Sequence, residues 1–163
     1  MYTYFEMQDG SVIRTQNPEY WTENKRITKK EGERRLAEKA RDQLREFYPP
    51  GATVHTVLKH VSKSGMYRHI DVIAVQNGEP RNVSGLVSQA CGFKLTDRGS
   101  IGISGCGMDM GFAIAYDLSR TLYRDGFECI GDKCSSNDHS NGDRNRKPHK
   151  HGDGGYALRH SWL

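Results

Sequence analysis

The last fifth of the chain is the part that packing alone cannot fold. Between Gly131 and Gly155 there is almost no apolar side chain. A polar stretch of this length gains little from hydrophobic burial, so it is either unstructured or tied down by something other than a core. Around it stand Cys129, Cys134, His139, His149, His151 and His160, drawn from only four cysteines and seven histidines in the chain. Thiolate and imidazole are the common ligands of structural zinc, and at this density they predict a bound Zn2+ ion. Cys129-x4-Cys134 puts two soft ligands within reach of one ion, and Gly131 gives the intervening knuckle its freedom. His139 follows five residues later. A tetrahedral Cys2His2 site then needs one more imidazole; His151 is the choice, with His149 and His160 as alternatives. Four protein ligands would make the ion closed and structural, whereas an open position would make it catalytic. The spacing matches no standard zinc finger, and the competing reading is a flexible polar loop with incidental histidines.

The rest of the chain is ordinary enough to bound the answer. At 163 residues, with 35% hydrophobic content and 18 glycines, it predicts one domain with a modest core and many irregular loops. No run approaches the ~20 apolar residues of a membrane span. The N-terminus lacks a basic region followed by an apolar stretch, so the expectation is a cytoplasmic protein with reduced cysteines. A formal charge of +4 suits nucleic acid or an acidic protein surface, but it also suits a plain basic protein.

The periodicities predict an α+β fold. A mainly antiparallel sheet is packed by two long helices, and a zinc-stapled irregular loop lies near the C-terminus. Residues 1–26 read as an N-terminal extension or hairpin around Asp9-Gly10. Residues 27–128 form the α+β core, 129–155 the cysteine/histidine loop, and 156–163 a C-terminal strand. Thr28 with Glu31 marks a helix start, Leu36, Ala40, Leu44 and Phe47 mark its buried face, and Pro49-Pro50 stops it. Strands are expected at Val54–Val61, Tyr67–Val75 and Ile101–Ser104. Ser84 is expected to cap a short helix closed by Gly92. Asp109 is expected to cap a second long helix, Met110–Arg124, with Phe112, Ala115, Tyr116, Leu118 and Leu122 as its buried stripe.

Two further segments could carry chemistry. Cys106 lies between glycines before a helix, where backbone N–H groups and the helix dipole favour the thiolate. It could be a nucleophile with His160 as base, or a buried cysteine in a tight turn. The stretch His60-Val-Ser-Lys-Ser-Gly-Met66 gathers Lys59, Lys63 and Arg68, with Ser62 and Ser64, at one hairpin tip. Such a tip could grip phosphate or an acidic partner surface, or be a plain solvated turn. Asn137 to Asp143 is oxygen-rich like a calcium loop but lacks the distal Glu, so these residues read as turn formers and partners of the zinc ligands.

Taken together, His60-Val-Ser-Lys-Ser-Gly-Met, Gly105-Cys-Gly-Met-Asp-Met-Gly, Ser136-Asn-Asp-His-Ser-Asn-Gly-Asp143 and Gly154-Gly-Tyr-Ala-Leu-Arg-His160 resemble a family of small phage and prophage proteins. The resemblance covers roughly residues 28–163. It implies a protein that disarms host defence, and the particular comparison is a zinc-bearing type II anti-CRISPR protein, which binds Cas9 and blocks loading of target DNA. It assigns no residue of this chain to a Cas9 contact. Three functions therefore compete: inhibition of a host defence nucleoprotein by protein binding, a small zinc- or Cys106-dependent hydrolase, and a nucleic-acid-binding accessory protein. Inhibition ranks first, because no acid–base pair or phosphate loop stands out and the basic residues are mixed with acids.

Overall fold

A computed structural model describes residues 1–49, 52–104, 110–123, 127–131 and 154–160, the last two stretches by their backbone. It is α+β: the described residues form three α-helices and two sheets, and every strand pair among them is antiparallel.

A small sheet forms first along the chain. β1 (Thr3–Glu6) and β2 (Val12–Thr15) are the hairpin expected at Asp9-Gly10. Gly10 takes a φ of 84°, and Asp9 accepts from the Ser11 N–H at 2.9 Å. A third strand, β3 (Lys25–Ile27), pairs with the other edge of β1 and was not expected. Its residues are too exposed to leave a burial pattern in the sequence.

Helix α1 (Lys29–Phe47) begins where expected, with the Thr28 hydroxyl accepting from the Glu31 N–H at 3.2 Å. The Glu31 carboxylate turns away from the cap and pairs with Arg34 at 2.6 Å. Ala40 and Leu44 are buried, while Arg34, Glu38 and Arg45 stay exposed. The N-terminal sheet docks on this helix. Arg35 binds Glu6 at 2.9 Å and the Gly10 carbonyl at 2.6 Å, and the Tyr4 ring fills the space beside Gly32.

The large sheet follows. Its long strands are β4 (Thr53–Val61) and β5 (Tyr67–Gln76), and β6 (Glu79–Asn82) turns back from β5 at Asn77-Gly78. Helix α2 (Ser84–Cys91) comes next, then β7 (Lys94–Leu95), β8 (Ile101–Ser104) and helix α3 (Met110–Leu122). The final pair is β9 (Phe127–Gly131) and β10 (Gly154–His160). The spatial order is β7-β8-β5-β4-β10-β9. β5 is long enough to take β8 along its first half and β6 along its second, on the edge opposite β4.

All three helices pack on one face of this sheet. Leu44 from α1, Val87 from α2, and Ile114 and Leu118 from α3 meet Val54, Ile70, Val72 and Ile101 in one core. At roughly 1.5–3 kcal/mol for each fully buried aliphatic side chain, this layer is the main source of stability.

Two helix expectations are corrected. Ser84 is no cap: its hydroxyl accepts from the Val72 N–H at 2.8 Å, tying α2 to β5, and Asn82 Oδ1 accepts from the Ser84 N–H at 3.0 Å in its place. Tyr116 is 42% exposed and lies under the Arg120 guanidinium; Met110 and Ile114 complete the buried stripe with Ala115, Leu118 and Leu122. Asp109 lies outside the described residues.

Candidate functional site

The face of the large sheet away from the helices is covered by no element among the described residues. Which side chains reach it is set by strand alternation and by one interruption of it. Along β4, Val54, Thr56 and Leu58 turn to the helices, and His55 and Val57 turn away. Continued strictly, that alternation would send His60 toward the core. Instead the register shifts: Leu58 stands opposite Ile70, and His60 opposite His69. Lys59 is the extra residue. A bulge of this kind re-aims the side chains beyond it, and here both Lys59 and His60 become exposed.

The bulge completes a row across four strands. Lys94 stands opposite Gly102, Gly102 opposite His69, and His69 opposite His60. The two imidazoles have ring centroids 5.1 Å apart and are tilted by 50°. Tyr67 enters from the neighbouring row, where it faces Ser104. Its ring meets His69 edge-on, with centroids 5.1 Å apart and an angle of 87°. It can do so because position 102 is glycine: a Cβ there would collide with the Tyr67 hydroxyl and lie 3.1 Å from Cζ.

Beneath this row, Asp71 fixes the rim. It is 7% exposed, accepts from the Ser100 hydroxyl at 2.5 Å, and has the Lys59 ammonium at 3.8 Å. The turn leading to Ser100 is closed by the Thr96 N–H to the Ser100 carbonyl at 2.7 Å and by Gly99 at a φ of 80°. Asp97 and Arg98 are therefore held out at the edge. The result is an open groove of about 580 Å³, floored by His60, His69 and Tyr67. Its lining carries the cations of Lys59, Lys94 and Arg98 and the carboxylate of Asp97, and the Asp71 carboxylate beneath pairs with Lys59. Such an arrangement can attract an anion and offer it aromatic rings.

The predicted hairpin-tip cluster is taken apart by this geometry. Lys59 joins the groove and Lys63 is exposed on the loop. Arg68 is 6% exposed and stands between Val61 and Ile103 on the helix side, so it does not join them. Ser62 and Ser64 are used within the loop, where their hydroxyls accept from the N–H groups of Tyr67 at 3.1 Å and Met66 at 3.3 Å.

Of the predicted metal ligands, the backbone of Cys129 lies in β9 opposite Leu158. Cys134, His139, His149 and His151 lie outside the described residues, as does Cys106. Among the described residues no group of three or more His, Cys, Asp or Glu is arranged to hold an ion. β9 and β10 do hold the two ends of the 132–153 segment side by side, with Gly131 opposite Tyr156.

The suggested Cys106–His160 pair lies partly outside the described residues; the nearest described position before Cys106 is Ser104. Ser104 faces Tyr67 at the hairpin end of the sheet. β10 runs the other way: Ala157 faces Thr53 at the start of β4, and His160 lies three residues further on, opposite Phe127.

Sequence reading missed Tyr67, Lys94, Arg98 and Gly102. The available signal was the alternation Tyr67-x-His69-x-Asp71 against Arg68-x-Ile70-x-Val72, which writes a polar face onto a strand with a core side. Cys91 was also passed over. It sits between α2 and α3 beside Asp117 and Thr121, and burial pushes its thiol up to about 11, so it stays protonated at neutral pH. No helix among the described residues is long and apolar enough to cross a membrane. No protein-family model, curated protein or solved structure matches this chain.

Proposed function

We propose that the chain acts as a stoichiometric binding protein that engages an anionic partner through the open face of its large sheet. The partner we propose is a host defence nucleoprotein, with the Cas9–guide RNA complex first in line on the resemblance. One observation carries the reading: Lys59, Lys94 and Arg98 surround a floor of His60, His69 and Tyr67. A structural zinc on Cys129, Cys134, His139 and His151 belongs to the same proposal. Its support is the β9–β10 pairing, which holds the ends of 132–153 together and leaves a polar loop for an ion to cross-link.

The test is gel filtration of the protein with the Cas9–guide complex at micromolar concentration, with a cleavage titration alongside. Co-elution and complete inhibition near one equivalent are expected. No association removes Cas9 as the partner. Inhibition that grows with time at a small fraction of an equivalent means turnover and overturns the binding reading.

A further inference from the structure

We infer that the ligand of the open face is single-stranded nucleic acid, with bases stacked on Tyr67, His69 and His60 and phosphates held by Lys59, Lys94 and Arg98. This rests on the reading that the face binds the partner, and it names the part of a nucleoprotein that the face would touch.

Charge comes first. Three cations against the Asp97 carboxylate and, beneath Lys59, the Asp71 carboxylate leave the open groove net positive and favour a polyanion, since phosphates spaced along a strand can meet Lys59, Lys94 and Arg98 in turn. Charge alone would serve an acidic peptide equally well. The rings decide against that. An acidic peptide would leave the floor of His60, His69 and Tyr67 unused, whereas bases stack on aromatic faces without needing a particular sequence.

Ring geometry then separates single strands from duplexes. Tyr67 stands at 87° to His69, and His69 at 50° to His60, so the three ring planes are inclined to one another. A duplex keeps its bases parallel and hidden in its stack. Only an unpaired strand can splay successive bases to meet rings set at these angles. The row from Lys94 to His60 crosses four strands, a width of about 14 Å at the normal strand spacing, which suits two or three nucleotides.

The architecture holds this platform ready. Gly102 leaves the room that Tyr67 occupies, the Lys59 bulge turns His60 outward, and the Asp71–Ser100 hydrogen bond of 2.5 Å fixes the rim bearing Arg98.

The experiment is fluorescence anisotropy of the full chain with a labelled ten-nucleotide single strand, as DNA and as RNA. The same sequence as a duplex and poly-glutamate serve as comparisons. Single strands are expected to bind at least tenfold more tightly than either. Tyr67→Ala and His69→Ala are each expected to weaken binding roughly tenfold with an unchanged melting temperature, and Tyr67→Phe to retain it. Equal affinity for duplex, preference for poly-glutamate, or indifference to Tyr67→Ala in a folded protein would overturn the inference. If no single strand binds while the Cas9–guide complex associates and Lys94→Glu abolishes that association, this inference fails and the binding-face reading survives. If single strands bind as expected but Cas9 does not, the Cas9 proposal alone fails.

Discussion

Tyr67 occupies the space that a side chain at Gly102 would need, with its Cζ 3.1 Å from where a Cβ would stand. The two residues lie on neighbouring, paired strands, β5 and β8, and the contact puts a phenol ring across the open face beside His69. Glycine inside a strand weakens it and commonly marks a close approach. Here the approach is by a ring that the helix-side core does not use.

Gly102→Ala therefore separates stability from function. The obstructing atoms are the far end of a half-exposed side chain, which can swing aside, so the unfolding free energy should change by less than about 1 kcal/mol. Binding of a single-stranded oligonucleotide should fall several-fold as Tyr67 leaves its position. Urea unfolding and anisotropy on the same preparation check both halves.

Gly32→Ala should behave in the opposite way. Alanine normally improves a helix interior by about 0.5–1 kcal/mol. At Gly32, however, the new Cβ would fall 2.7 Å from Tyr4 Cβ, a part of Tyr4 that cannot rotate away. Overpacking should outweigh propensity, so a net loss of about 1–3 kcal/mol is expected as the N-terminal sheet is pushed off α1. Thermal unfolding measures it, and a stabilised variant would show that this docking contributes little.

The sequence disclosed those parts of the fold that are fixed by neighbouring residues. Thr28 before Glu31, the turns at Asp9-Gly10 and Asn77-Gly78, and Gly92 at a φ of 83° all declare themselves within a few positions. β4 and β5 were legible because one side of each is buried. β6 was not, because all four of its residues are exposed and it exists only by pairing with β5. β3 and β7 are short and solvated for the same reason.

The groove was harder still. Its central row joins Lys94, Gly102, His69 and His60 from four strands, and no local pattern encodes that register. The Lys59 bulge also reverses the side of His60 that simple alternation assigns. Arg68 misled for the converse reason: next to Lys63 and Tyr67 it reads as a tip residue, but strand alternation turns it inward.

Cys91 sets a pH dependence of stability. Burial lifts its thiol from 9.0 to about 11, so the folded protein keeps a proton that the unfolded chain releases first. The stabilisation is complete below pH 9 and is lost as pH rises through the folded value. Wild type should therefore lose on the order of 2 kcal/mol relative to Cys91→Ala between these limits. Urea titrations of both proteins at several pH values give the difference, and parallel curves would show that Cys91 is not shielded from water.

The proposed zinc site makes its own demand. Untreated protein should contain stoichiometric zinc by elemental analysis, and Cys129→Ser and Cys134→Ser should each lose it. EDTA should lower the melting temperature, because binding to the folded state alone adds directly to stability. Metal-free wild type with a transition indifferent to EDTA would remove zinc from the account and leave the sheet face untouched.

The central claim is that Lys59, Lys94 and Arg98 make the open face a site for a polyanion, and its most direct test is the salt dependence of binding. Three phosphate contacts on a single strand predict that log K falls against log salt with a slope of about −2. Lys94→Gln and Arg98→Gln should each make that slope shallower by about 0.7. A slope near zero, or one that neither substitution changes, would contradict the claim.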